Sequence, residues 1–301
     1  MDITIVQQFQ KLSNHFLDNF FSFVTKFGEV IPFIVIFLLL YWCVNNKIAM
    51  QFLCTYLMGV ALNAVIKHIF QRPRPYIQSP DIINKYDSNG YSFPSGHSVS
   101  ATLAFGGAYS HLKSKLNKGI KICFAVINIT IIVLVMLSRV YLGQHFLSDV
   151  LCGFLFAVLW LIVAPKMYNW FKSDHKALLF ICPVALMVAL FSASPFIVSE
   201  QFSKIYLICG LLTGLCIGYF LDRQFIKNYY KKSIWFIFVK AVACCILTLC
   251  ALALCIVLSK HLITFFIAFM LLGLIITVGF SALFEHINNL MFKRKNKHEN
   301  I

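Results

Sequence analysis

Apolar runs separated by short polar breaks occupy most of the chain. The first covers residues 30–44 and ends at Asn45-Asn46-Lys47. The second covers 48–70 and ends before Pro73 and Pro75, which cannot continue a helix. A third, Ser98 to Leu112, is short for a bilayer and is expected inside a bundle. Runs at 122–137, 146–165, 177–198, 205–221, 234–258 and 262–284 follow, then a basic tail at 293–297. This pattern predicts about nine transmembrane helices. Ahead of them Ile3, Ile5, Val6, Phe9, Leu12, Phe16, Phe20 and Phe23 recur at roughly helical spacing with polar residues between, as in an amphipathic interfacial helix. The expected fold is all-α, a polytopic membrane helical bundle. Its parts are an N-terminal interfacial helix (1–28), a core bundle (29–165) and a C-terminal four-span extension with a basic tail (166–301).

Composition agrees: 60% of the 301 residues are hydrophobic and only 12% are charged. The net charge of +15 does not form one basic stripe. It is spread over short loops between spans, so nucleic acid is not an expected partner. Sixteen Lys and Arg fall on the side holding Lys47, Lys113 to Lys121, Lys166, Arg223 and the tail, against nine on the other. The first side is expected to be cytoplasmic. Polar residues throughout the first 28 argue against a cleavable signal peptide. All eleven cysteines lie in apolar runs, without metal-binding spacing, and read as small buried hydrophobes. Gly210, Gly214 and Gly218 repeat every fourth residue, a close-packing face within the monomer or in a homodimer.

Three polar stretches reach the same, non-cytoplasmic side. Lys67 and Arg74-Pro75 close the second span, about two helical turns apart, and suit a phosphate dianion. Pro94-Ser95-Gly96-His97 opens the third span, where backbone N–H groups and a hydroxyl can meet an anion. Gly96 allows close backbone approach, and His97 is placed to protonate a leaving oxygen. Ser138-Arg139 ends the fourth span, and His145 and Asp149 follow at i and i+4. On a helix they would share one face, the carboxylate holding one imidazole nitrogen and raising the nucleophilicity of the other. Arg139 adds a fork for phosphate oxygens. Arg72 is expected to contact solvent or lipid headgroups.

Lys-(six)-Arg-Pro, Pro-Ser-Gly-His and Ser-Arg-(five)-His-(three)-Asp, in this order, resemble the type 2 phosphatidic acid phosphatase superfamily, and every fixed position is matched. The resemblance covers residues 30–165. It implies a phosphohydrolase that needs no metal or other cofactor and works through a phosphohistidine. His145 would be the nucleophile, Asp149 its orienter and His97 the general acid. Lys67, Arg74, Ser95, Gly96, Ser138 and Arg139 would bind phosphate, with Pro75 and Pro94 shaping the motifs. The expected substrate is a lipid phosphate monoester or pyrophosphate arriving from the membrane. Phosphatidic acid, phosphatidylglycerol phosphate, polyprenyl pyrophosphate, a lipid A phosphate and a sphingoid-base phosphate are all candidates. Transfer to a lipid acceptor, a glucose-6-phosphatase-like activity and, remotely, a transporter remain alternatives. Lys-, Asn-, Ile- and Phe-rich usage fits an AT-rich bacterial genome, hence an inner membrane with a periplasmic site, an endomembrane with a lumenal site being the alternative.

Overall fold

A computed structural model describes residues 2–88, 90–170, 210–211, 213–222, 242, 246, 262–279 and 282. Among these residues every regular element is helical. The run at 177–198, most of 234–258 and the tail lie outside the described residues. The chain divides into two compact units, one formed mainly by residues 1–41 and 47–172, the other by 42–46 with the C-terminal part.

In the first unit α1 (Asp2–Lys11) and α2 (His15–Val24) replace the single N-terminal helix expected from the periodicity. Ser13-Asn14 breaks them, and the Asn14 side chain caps α2 by accepting from the Leu17 N–H at 2.9 Å. A single turn, Thr25–Gly28, leads into α3 (Val30–Leu39). His15–Gly28 and Val30–Val44, bent by 50°, together meet the length and hydropathy of one broken span. α4 is Asn46–Phe70 and α5 the short turn Pro75–Gln78. α6 (Gly96–Ala101) runs through a π-helical turn, Thr102–Gly106, into α7 (Gly107–Leu112). α8 is Lys118–Tyr141 and α9 Leu147–Trp170. Asn46–Gln78, Lys118–Tyr141 and Leu147–Lys166 are long and apolar enough to cross a membrane, giving three spans, or four with the bent pair.

The short third run is central because its residues are small. Val99, Ala101, Leu103, Ala104 and Ala108 are buried, and α6 packs against both α8 and α9. Gly153 of α9 lets the chain pass the Ser95 backbone, where a Cβ would come within 2.8 Å of its carbonyl oxygen. Outward, Ile122, Val126, Ile129 and Val133 of α8, and Leu151, Leu155, Leu159 and Ile162 of α9, are exposed at helical spacing. Such apolar stripes suit hydrocarbon rather than water.

In the second unit Trp42 Nε1 donates to the Ile276 carbonyl (3.3 Å) and Asn46 Nδ2 to Asp222 Oδ2 (3.2 Å). Gly214 lies against the Met270 backbone and Gly218 against Thr277, so this face is used within the chain.

The α8–α9 turn needs Gly143. Its φ is +73°, and a Cβ there would sit 2.6 Å from the Ile83 carbonyl oxygen. Gly143→Ala should destabilise the protein by about 1–2 kcal/mol from backbone strain alone. A lowered thermal midpoint in detergent would show it.

Candidate active site

The polar residues converge at one end of the first unit because each of their helices stops there. After Phe70 the chain turns through Gln71 and the two prolines, and Arg74 is extended. Arg74 is thereby buried beside the α8–α9 turn. Its Nε donates to the Gly90 carbonyl at 2.9 Å, and Nη1 donates to the Gln144 carbonyl at 3.1 Å and lies 3.4 Å from His145 Nε2. Pro75 occupies the first turn of α5, where its missing N–H costs nothing. Lys67, one turn before the end of α4, donates to the Tyr91 carbonyl at 2.8 Å. Arg139, in the last turn of α8, is fully buried, with Nη1 on Thr25 Oγ1 (2.8 Å) and Nη2 on Ser88 Oγ (2.9 Å). Burying a guanidinium demands that its donors be satisfied. Arg139 Nε and His97 Nε2 are nevertheless without a hydrogen-bond partner, as cationic and imidazole groups facing an anion site would be.

Lys67, Arg74, Gly96, His97, Arg139 and His145 line one cavity of about 350 Å³. Glu29, Tyr86, Asp87 and Ser88 form its remaining wall. Burial, followed by the charges of Lys67, Arg139 and Arg74, holds the His145 pKa well below that of a free imidazole. His97 is lowered too, by burial and then by Arg139, His145, Arg74 and Lys67. Both rings are therefore neutral at pH 7. Tyr86 donates to Glu29 Oε1 at 2.7 Å, and burial together with that bond raises its phenol pKa.

The Asp149 geometry departs from the i, i+4 expectation. α9 begins at Leu147, so His145 precedes the helix. His145 Nδ1 lies 3.7 Å from Asp149 Oδ2, too long for a direct hydrogen bond. The Ser92 hydroxyl bridges them, donating to Asp149 Oδ2 at 2.5 Å and lying 3.3 Å from His145 Nδ1. The same oxygen accepts the Phe146 N–H at 3.0 Å. Arg72 is also corrected: it contacts neither lipid nor solvent alone but bonds Asp149 Oδ1 at 2.7 Å. Ser138 does not reach the cavity, because its hydroxyl donates to the Val135 carbonyl of its own helix at 2.6 Å. Ser95 is buried without a hydroxyl partner and is absent from the cavity wall, while its N–H donates to the Asp149 carbonyl at 3.0 Å. Pro94, joined to Phe93 by a cis peptide bond, is buried beside it.

Residues 48–173 match the family model described as the PAP2 superfamily. Over that stretch the chain is similar to the PAP2 superfamily. A "Probable sphingosine-1-phosphate phosphatase" of Dictyostelium discoideum is 24% identical over 241 residues, 74% of this chain and 58% of that protein. "Phosphatidylglycerophosphatase B" of Bacillus subtilis is 41% identical over 96 residues, 31% of this chain and 44% of that protein. The crystal structure of a transmembrane PAP2 type phosphatidylglycerolphosphate phosphatase from Bacillus subtilis superposes with a TM-score of 0.50 at 27% identity, covering 56% of this chain and 84% of that one. The chain thus spans about half the length of these two curated relatives. Within the matched stretch Ser92 was not legible from motif spacing, since it meets His145 and Asp149 across 53 and 57 residues.

Nitrogen NMR of histidine-labelled protein checks the electrostatics without any substrate. His145 should stay neutral as pH falls from 8 through 6.5 and take up its proton only below that. A midpoint at or above 6.5 would show that burial and the neighbouring cations do not control it.

Proposed function

We propose that the protein is an integral membrane phosphatase that hydrolyses a lipid phosphate monoester or pyrophosphate through a phosphohistidine, without a metal. The observation that carries this reading is the two-sided environment of His145. Its Nδ1 faces Ser92 and Asp149, and its Nε2 faces Arg74 inside the cationic cavity. Nε2 is therefore the nucleophile, with Nδ1–H held by the Ser92 bridge. Its lone pair forms the N–P bond while the ester P–O bond breaks, and His97 passes a proton to the departing oxygen. With both rings neutral in the free site, that proton enters with a monoanionic phosphate. In the second step His97 accepts a proton from water as the water oxygen attacks phosphorus and the N–P bond breaks. Lys67, Arg74 and Arg139 hold the equatorial oxygens, supplying charge that Mg²⁺ supplies elsewhere.

The lipid class is supported by the apolar outer stripes and the named activities of the relatives. The headgroup reading favours an amine-bearing phosphate of the sphingoid-base kind. Glu29 and Asp87 share the cavity with the cations and would repel a plain phosphate ester, but they can pair with an ammonium. The Dictyostelium relative's similarity also extends well beyond the length of the family match. Loop charge supports a site on the periplasmic, exterior or lumenal face.

Purified protein with EDTA present should release phosphate from lipid phosphates, and His145→Ala should abolish release. A requirement for added metal would overturn the mechanism. In Glu29→Gln/Asp87→Asn the preference for a sphingoid-base phosphate over phosphatidic acid should fall roughly tenfold, the scale of one lost charged contact. An unchanged ratio would remove the headgroup assignment.

A further inference from the structure

Arg72 joins the catalytic end of α9 to the N-terminal helix. Nη1 donates to Asp149 Oδ1 at 2.7 Å and to Ser148 Oγ at 2.8 Å. Nη2 donates to Asp2 Oδ2 at 3.1 Å, and Ser148 Oγ donates to that same carboxylate oxygen at 2.5 Å. The guanidinium also lies over the Phe146 ring, 4.0 Å from its centre. Its plane is thus fixed on one face by the ring and at its edge by three polar contacts.

α1 is itself held down along its length. Val6 packs with Ile82, Val140, Phe146 and Val150. At the far end the Gln10 side-chain amide pairs with the Ile83 backbone, donating to its carbonyl at 2.8 Å and accepting its N–H at 3.0 Å. The helix therefore lies across the 71–96 loop and the start of α9, with Asp2 over Arg72.

We propose that α1 is a positioning strap, and that Asp2 and Arg72 act through Asp149 to orient the His145 imidazole. Asp149 is completely buried, and its second oxygen is occupied by the Ser92 hydroxyl and the Phe146 N–H. Arg72 occupies the first oxygen, which fixes the rotation of the carboxylate. That rotation aims Oδ2 at Ser92, and Ser92 in turn meets His145 Nδ1. Arg72 is not part of the cavity wall, so it is a positioning residue rather than a phosphate contact. Asp2 and Arg72 are about 70% screened by protein, with side chains 32% and 29% exposed, so the outer ion pair is the weaker link. The proposal rests on the phosphohistidine reading of His145.

The test compares full-length wild type, Arg72→Ala, Arg72→Lys and Asp2→Asn in detergent. Arg72→Ala should lower kcat roughly tenfold or more, the scale of a lost charge-assisted hydrogen bond, with KM held within about twofold. Arg72→Lys should recover part of kcat, and Asp2→Asn should show a smaller loss of the same kind. A raised KM with kcat unchanged would overturn the proposal and make Arg72 a substrate contact. Should Arg72→Ala not fold, Arg72→Lys and Asp2→Asn decide by the same split between kcat and KM. Nitrogen NMR of His145 separates this proposal from the functional reading. Loss of the Arg72 charge should raise the His145 titration midpoint even if no lipid phosphate is turned over, and an unmoved midpoint would overturn the strap.

Discussion

Lys67, Arg74 and Arg139 are drawn together into one cavity at the end of an apolar bundle, and their mutual repulsion and lost hydration must be offset locally. Much of the surrounding structure does this. The Tyr91, Gly90 and Gln144 carbonyls, the Thr25 and Ser88 hydroxyls and the Tyr86 ring all face these cations. They come from segments distant in sequence, so the 71–96 loop, the turn before α3 and the α8–α9 turn are fixed relative to one another by the same requirement. A site organised in this way is set for a phosphate anion before one arrives, which is the preorganisation that electrostatic catalysis of phosphoryl transfer needs.

The same charge has a second effect. Together with burial, the larger cause, it holds both imidazoles neutral, and in the proposed mechanism His145 thereby retains its lone pair while a phosphate monoanion carries in the proton that His97 donates. The proposed nucleophile and acid differ in surroundings rather than in residue type. His145 has Ser92 and Asp149 behind it, whereas His97 begins the buried third run with an unpaired Nε2.

The helix order and the motif residues were readable because apolar run length and fixed motif spacing are local properties of a chain. Lys67, Arg74, Gly96, His97, Arg139 and His145 accordingly meet around one cavity. Ser92 and Arg72 were missed or misread because their partners lie across the fold, and a serine or arginine near a proline turn carries no periodic signal. Ser138 had the opposite fate: its motif position suggested phosphate, but a serine in a helix interior can satisfy itself on a preceding carbonyl. The N-terminal region shows the limit of periodicity. Residues 3–27 follow one helical pattern, yet Ser13-Asn14 supplies a cap that divides it, and α1 owes its place to Asp2 and Gln10 meeting residues far away.

The central claim is that phosphorus becomes bonded to His145. Rapid acid-free quenching of the protein with a phosphorus-labelled lipid phosphate tests it most directly. The account predicts a transient label that survives base, is lost in acid and is absent from His145→Ala. Phosphate release at full rate with no protein-bound label at any time, or a label that persists in His145→Ala, would contradict it.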